Sequence, residues 1–234
     1  MKVLNRIVII ALALVFAAGP VFAEDTYTKK EDKVGYTIGL NMGRDFARRE
    51  LEIGLDAFVQ GFKDGLAGSE PKLSDEQRQE TMMQLAAEMK AKQEAKIKLE
   101  TEKNQKEGQA FLEANAKQDG VVVLESGLQY KVLKEGDGEK PKAEDTVTVN
   151  YKGTLVDGTI FDSTESRGKP ATFALDKVIK GWTEALQLMK AGSKWIIYLP
   201  PSLAYGPMGA GALIGPEQTL VFEVELLSIE KAQK

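Results

Sequence analysis

The hydrophobic period of this chain changes once, near Ser126, from about 3.6 residues to about 2. Apolar residues recurring at i, i+3 and i+4 mark one face of a helix, whereas strict alternation marks one face of a pleated strand. The chain is therefore expected to be helical before this point and sheet-forming after it. In Thr146-Val147-Thr148-Val149-Asn150-Tyr151 the residues Val147, Val149 and Tyr151 share a face, and Leu155 keeps their parity. Trp195, Ile197 and Leu199 form a second inward row; Leu220, Phe222, Val224 and Leu226 form a third, with Glu223 and Glu225 pointing away. Between these rows Trp182, Ala185, Leu186 and Met189 fall at i, i+3, i+4 and i+7, a short apolar helix that Gly192 is expected to end. The expected fold class is α+β: a C-terminal curved antiparallel sheet wrapped on a short helix, preceded by an all-helical N-terminal domain and a long connecting helix.

The helical part divides further. Residues 1–23 carry Lys2 and Arg6, an apolar run from Ile7 to Ala18, then Val21-Phe22-Ala23, the three parts of a secretory signal peptide cleaved after Ala23. The run gives roughly 18 Å of helix, short of the ~30 Å of a hydrocarbon core, so export with cleavage is expected rather than an anchor, with a bacterial periplasm as destination and the outer surface as an alternative. Residues 24–70 read as a helical dimerisation domain. Val34, Ile38, Met42 and Phe46 make one stripe and Gly35, Gly39 and Gly43 a second beside it. Each glycine costs a helix roughly 1 kcal/mol, so either another backbone approaches closely or the stripe packs on the next helix, whose apolar face is Leu55, Phe58, Val59, Phe62 and Leu66. Residues 71–119 read as the connecting helix: Ser74-Asp75-Glu76-Gln77 opens it, and no Gly or Pro follows until Gly108. If it runs to about Lys117 it spans ~65 Å. From Lys90 it is nearly all Lys, Glu, Gln and Ala, with Glu94–Lys98 and Glu102–Lys106 among its i,i+4 pairs, which is the composition of a solvated bridge between domains. Gly108, Asn115 and Gly120 are where it would bend or end.

Residues 120–234 then form one sheet domain. Its aromatic and branched residues Tyr151, Phe161, Val178, Ile179, Trp182, Tyr205 and Phe222 fall at strand ends, a helix start and a loop, and read as the lining of one pocket. The Asp157-Gly158 hairpin tests that reading. A two-residue loop would pair Thr154 with Phe161 and put Phe161 on the face opposite Tyr151; a three-residue loop closed by a glycine bulge pairs Gly153 with Phe161 and brings both aromatics together. Asp162 lies next to Phe161 in an apolar stretch, and a carboxylate buried there needs partners such as Arg167 or Tyr205. The chemistry available is narrow, because the 234-residue chain has no His and no Cys, which excludes imidazole or thiolate catalysis, Cys or His metal sites and disulfides. No cofactor is expected. A net charge of −4 with interspersed lysines and acids excludes a nucleic-acid partner.

Val149-Asn150-Tyr151-Lys152-Gly153, Gly158-Thr159-Ile160-Phe161-Asp162-Ser163, Val178-Ile179-Lys180-Gly181-Trp182, Ala204-Tyr205-Gly206 and Leu220-Val221-Phe222-Glu223-Val224-Glu225-Leu226 resemble the FKBP family of peptidyl-prolyl cis-trans isomerases over residues 120 to 231. The helical region and long connecting helix resemble the macrophage infectivity potentiator branch of that family. The first resemblance implies a peptidyl-prolyl cis-trans isomerase whose pocket is Tyr151, Phe161, Asp162, Phe173, Val178, Ile179, Trp182, Tyr205, Ile214 and Phe222. In it Trp182 would be the floor, the Ile179 N–H and Tyr205 hydroxyl would bind substrate carbonyls, and Arg167 would orient Asp162. It also implies unfolded or partly folded proline-containing polypeptides as substrates, chaperone activity, and macrolides such as rapamycin as ligands. The second implies a homodimer joined through the N-terminal helices. Ala171 and Ala210 depart from bulkier residues of the family and imply a more open rim. Two functions follow: a foldase turning proline bonds, and a holding module that gains avidity from two spaced clefts.

Overall fold

The computed structural model describes residues 27–232, so the expected signal peptide lies outside the described residues. The chain forms two compact units, divided after Ser74.

The first unit is two helices, α1 (Lys30–Arg48) and α2 (Leu55–Ala67). Gly68 ends α2 in the left-handed conformation, φ 62°, with its N–H and that of Ser69 returned to the carbonyls of Gly65 and Asp64. Phe46 and Phe58 meet edge to face at 5.7 Å. Neither helix buries a residue: Val34, Ile38, Phe62 and Leu66 are all about half exposed or more. Of the two readings of the glycine stripe, packing on α2 is not realised, since a Cβ at Gly35, Gly39 or Gly43 would meet nothing within 4 Å.

The second unit opens with α3 (Asp75–Asn115), two residues shorter than its expected reach to Lys117. Glu94 and Glu102 reach back to Lys90 and Lys98 rather than forward, at 3.8 and 4.0 Å, contacts too exposed to contribute much. The helix is not solvated to its end. Asn104, Gly108 and Asn115, four and seven residues apart on one face, are buried against the sheet domain, and the Phe111 ring between them meets that of Tyr198 at 5.9 Å in a tilted contact. Asn115 donates to Gln129, whose own amide donates to the Leu112 carbonyl. Gly108 is thus neither bend nor end; a side chain there would strike Thr219.

Seven strands follow: β1 (Val121–Val123), β2 (Gln129–Lys134), β3 (Thr146–Leu155), β4 (Ile160–Ser163), β5 (Ala171–Ala174), β6 (Lys194–Leu199) and β7 (Leu220–Glu230). They make one antiparallel sheet in the order β1-β2-β6-β7-β3-β4, with β5 sharing the β4 edge of β3. The one-turn α4 (Thr164–Arg167) follows β4, and α5 (Lys180–Leu188) precedes β6. The core is the expected set of inward rows, Val147, Val149, Ile197, Leu199, Leu220, Val224 and Leu226, closed by Trp182, Ala185, Leu186 and Met189 of the α5 segment. At ~25 cal/mol per Å² of apolar surface removed from water, this cluster is the main term holding the domain together. Gly192 does not end α5, which stops at Leu188; with φ 89° it shapes the turn into β6 instead.

Candidate functional site

The open side of α5 forms a cavity of about 450 Å³ with the β3–β4 hairpin and the segment after β6. All the expected site residues except Ile214 line it: Tyr151, Phe161, Asp162, Arg167, Phe173, Val178, Ile179, Trp182, Tyr205 and Phe222. Ile214 instead forms a two-way bridge with Ala210, at 2.8 and 3.2 Å, and packs against the edge of the core. Lys177, which sequence reasoning missed, adds a cation to the rim.

Trp182 sits in the first turn of α5 because Ile179 caps that turn, its carbonyl accepting from Trp182 and Thr183. Gly181 beside it lets Leu199 press against the helix where a Cβ would collide. The indole is 4% exposed and boxed by Tyr151, Phe173 and Phe222 at 5.1, 5.7 and 5.3 Å, each nearly perpendicular to it. Edge-to-face contacts suit aromatic quadrupoles and fix the ring plane. The Trp182 indole N–H is buried with no partner. No acceptor within the protein takes the Ile179 N–H among the described residues.

The hairpin meets the test with one addition. Leu155 and Thr159 close a three-residue loop through Gly158, φ 87°, as the shared pocket required. A second bulge follows: Thr154 pairs with Ile160 but Gly153 pairs with Asp162, leaving Phe161 as the extra residue. A bulge re-aims side chains, and here it lets two consecutive residues, Phe161 and Asp162, both line the cavity. Gly153 makes room for this. A Cβ there would lie 2.6 Å from the Phe161 ring and 2.8 Å from that of Phe222, which themselves meet edge to face at 5.5 Å. Glycine in the middle of a strand was the available signal for this role.

Asp162 takes its partners from one side of the pocket. It accepts from the Tyr151 hydroxyl at 2.6 Å and from Arg167 through both oxygens at 2.6 and 2.7 Å, so its second partner is Tyr151 rather than Tyr205. Ser163 caps α4 by accepting from Ser166, and Gly168 ends it with φ 68°, which turns Arg167 back onto Asp162. Thr164, also missed, is buried and pins the Tyr151 backbone at both N–H and carbonyl, at 3.0 and 3.2 Å. Burial, and the hydrogen bond donated to Asp162, push the Tyr151 phenol well above the ordinary tyrosine range. Burial and the Asp162 charge raise Tyr205 as well, although that side chain is 40% exposed. Both hydroxyls thus stay protonated donors at neutral pH, and among the described residues nothing takes the Tyr205 hydroxyl.

A second cavity, about 490 Å³, lies over β3, β6 and β7 and is lined by Lys152, Lys169, Lys194, Glu165, Glu223 and Glu225. The Lys194–Glu223 pair at 2.6 Å shows how its charges satisfy one another. Tyr151 is the one aromatic residue in its lining, so the Trp182 cavity, which also has Phe161, Phe173, Tyr205 and Phe222, is the one suited to an apolar ring flanked by polar amides.

Residues 137–227 match the family of FKBP-type peptidyl-prolyl cis-trans isomerases, and residues 31–132 match the domain amino terminal to such isomerases. The chain is similar to the outer membrane protein MIP of Legionella longbeachae, 47% identical over 88% of each chain. It is also similar to the FKBP-type peptidyl-prolyl cis-trans isomerase FkpA of Aeromonas hydrophila, 51% identical over 86% of this chain and 77% of that one. The crystal structure of FkpA from Escherichia coli superposes with a TM-score of 0.70 at 38% identity, covering 88% of this chain and 100% of the other.

Proposed function

The chain belongs to the family of FKBP-type peptidyl-prolyl cis-trans isomerases, and from that premise we propose that the Trp182-floored cavity is where it turns X–Pro bonds of exported polypeptides. Rotation about such an amide faces a barrier of ~18–20 kcal/mol from the partial double bond and breaks no covalent bond. A chain without His or Cys suits it, since no nucleophile is needed. The single observation that carries the reading is an aromatic box floored by Trp182, with the unused Ile179 N–H in its lining.

The proline ring rests on the Trp182 face between Tyr151, Phe161 and Phe222. The Ile179 N–H and the protonated Tyr205 hydroxyl hold the carbonyls on either side, and Val178 and Phe173 complete the apolar wall. Removing water disfavours the charge-separated planar amide more than the twisted one, so the stabilisation is differential. Asp162, held by Tyr151 and Arg167, fixes one wall and sets its polarity. An acceleration of ~10³ to 10⁶ corresponds to about 4–8 kcal/mol at 1.36 per decade.

The wider setting is part of the same proposal. The N-terminal 23 residues direct export to the periplasm and are removed there, and among the described residues no helix is long and apolar enough to cross a membrane. Two copies pair through the half-exposed apolar faces of α1 and α2, leaving two clefts that also hold unfolded chains. A macrolide such as rapamycin occupies the cavity as a competitor.

The test is NMR exchange between cis and trans forms of an Ala-Leu-Pro-Phe peptide. Micromolar protein should quicken it, and rapamycin should abolish the effect; no acceleration would end the claim. Asp162→Asn and Tyr205→Phe then separate the two functions: both should slow proline-limited refolding while suppression of aggregation persists. Parallel loss of both activities would make holding inseparable from turnover.

A further inference from the structure

Asn104 is a buried amide in a helix made mostly of solvated charge; the residue is 6% exposed. It donates to the Pro216 carbonyl at 2.8 Å and accepts from the Gln218 amide at 3.1 Å. Both partners belong to the segment between β6 and β7. The neighbouring turns of α3 touch the same segment. Gly215 lies so close that a Cβ there would be 3.2 Å from the Asn104 amide nitrogen and closer still to Glu100, and Gly108 lies against Thr219. Three successive turns, at Glu100, Asn104 and Gly108, thus meet residues 215–219.

The segment is otherwise closed on itself. Ala210 and Ile214 bridge each other, and Gly209, φ 61°, lies so close to Ile214 and Gly215 that no side chain could be added there. The Glu217 N–H donates to the Gly206 carbonyl at 2.8 Å. Glu217 sits between the two residues that Asn104 holds, and Gly206 directly follows Tyr205 on the rim of the cavity. An unbroken run of contacts therefore leads from α3 through Pro216 and Gln218 to Glu217, Gly206 and Tyr205. A buried amide is costly unless bonded, so Asn104 is satisfied only while the loop keeps this shape.

We propose that Asn104 is a positioning residue for the pocket. It clamps the 206–219 loop and, through the Glu217–Gly206 bond, sets Tyr205, so that the seating of α3 and the affinity of the cavity are coupled. This rests on reading the cavity as the proline site. Coupling between sites is reciprocal, so a bound peptide tightens the last turns of α3 in return.

The experiment uses the full mature chain with Asn104→Ala and, as a milder change that removes one of the two bonds, Gln218→Ala. Amide hydrogen exchange is followed by NMR alongside KM and kcat for a proline peptide. Asn104→Ala should speed exchange at Glu217 about tenfold, the equivalent of about 1.4 kcal/mol, and raise KM by about threefold to tenfold with kcat within about twofold. Gln218→Ala should give the same pattern at smaller size, and carries the test alone if Asn104→Ala does not fold. Exchange at Val224, in the centre of the sheet, should not move. Unchanged Glu217 exchange and KM in both variants would overturn the proposal, as would an equal rise at Val224, which would make Asn104 a general support of the fold. If the parent protein fails to turn the peptide while Asn104→Ala still frees Glu217, the site reading falls and the clamp stands.

Discussion

The sheet domain and the N-terminal helix pair solve the problem of apolar surface in opposite ways. The sheet domain closes on itself: Val147, Val149, Leu175, Leu186, Met189, Ile197, Leu199, Leu220, Val224 and Leu226 are fully buried, and beside single exposed residues such as Val123, Ile160 and Met208 it leaves the Trp182 cavity open. Helices α1 and α2 bury nothing, with Leu55, Phe62 and Leu66 each more than half exposed and three glycines facing open space. A hydrophobic face left in water forgoes the dominant favourable term in folding. The contrast teaches that the pocket is a property of one chain, whereas the helix pair leaves its apolar faces open, and the proposed second copy would cover them.

Removing residues 1–74 is the bluntest way to break that contrast. The mature chain should sediment as a dimer and a chain starting at Asp75 as a monomer that still turns a short peptide within about threefold, since every residue lining the cavity belongs to the second unit. A start near Gly120 would be a poor choice, because it strips Asn104, Phe111 and Asn115 from their seats on the sheet domain. A chain from Asp75 that remained dimeric would overturn the comparison, for the closed domain would then carry the interface.

A matched pair of substitutions sharpens it. Trp182→Ala empties a site packed against three rings and should cost about 3–5 kcal/mol of stability, with loss of the cavity floor and of peptide turnover. Phe62→Ser, in the exposed face of α2, should leave the unfolding of the sheet domain unmoved and raise the dimer dissociation constant instead. Both tryptophans, Trp182 and Trp195, lie in the sheet domain, so Trp195 fluorescence still reports that unit alone in the first variant. A fall in sheet-domain stability with Phe62→Ser would mean that the two regions fold as one.

What could be read in the sequence follows the same division. The alternating rows of β3, β6 and β7 and the i, i+3, i+4, i+7 face of α5 were legible because hydrophobic period reports which side of an element leaves water. The quoted motifs brought the cavity lining with them. The contacts that period does not see were missed. Asn104, Gly108 and Asn115 seat α3 through amides and a missing side chain, so the helix read as solvated from Lys90 onward. The bulge at Phe161 depends on strand pairing that a local turn rule fixes only in part; the glycine loop at Asp157-Gly158 was read, the second slip beside Gly153 was not. Ile214 was expected at the pocket, but its place is set by the Ala210 bridge and the positive φ of Gly209, which no periodic pattern encodes. Asp162 found Tyr151 rather than Tyr205 because the bulge turns both Phe161 and Asp162 toward β3.

The smallest expected effect is on alkaline stability, and it belongs to the closed domain. Tyr151 is buried and donates to Asp162, so its folded-state pKa is raised above the value near 10 of an unfolded chain. The sign follows from which state ionises first. Below pH 10 both states carry the neutral phenol and the contribution is whole; above it the unfolded chain loses the proton while the folded one holds it, so the unfolded state gains and stability falls. At pH 11 the loss is about 1.4 kcal/mol for this one group, a single unit beyond the unfolded pKa. Denaturant unfolding followed by tryptophan fluorescence at pH 8, 10 and 11 should show that decline, and Tyr151→Phe should flatten it by the same amount while lowering stability at pH 8, where Asp162 loses a donor. A slope untouched by Tyr151→Phe would move the effect to the other raised phenols, Tyr198 and Tyr205, and would mean that the Tyr151–Asp162 bond opens readily in solution.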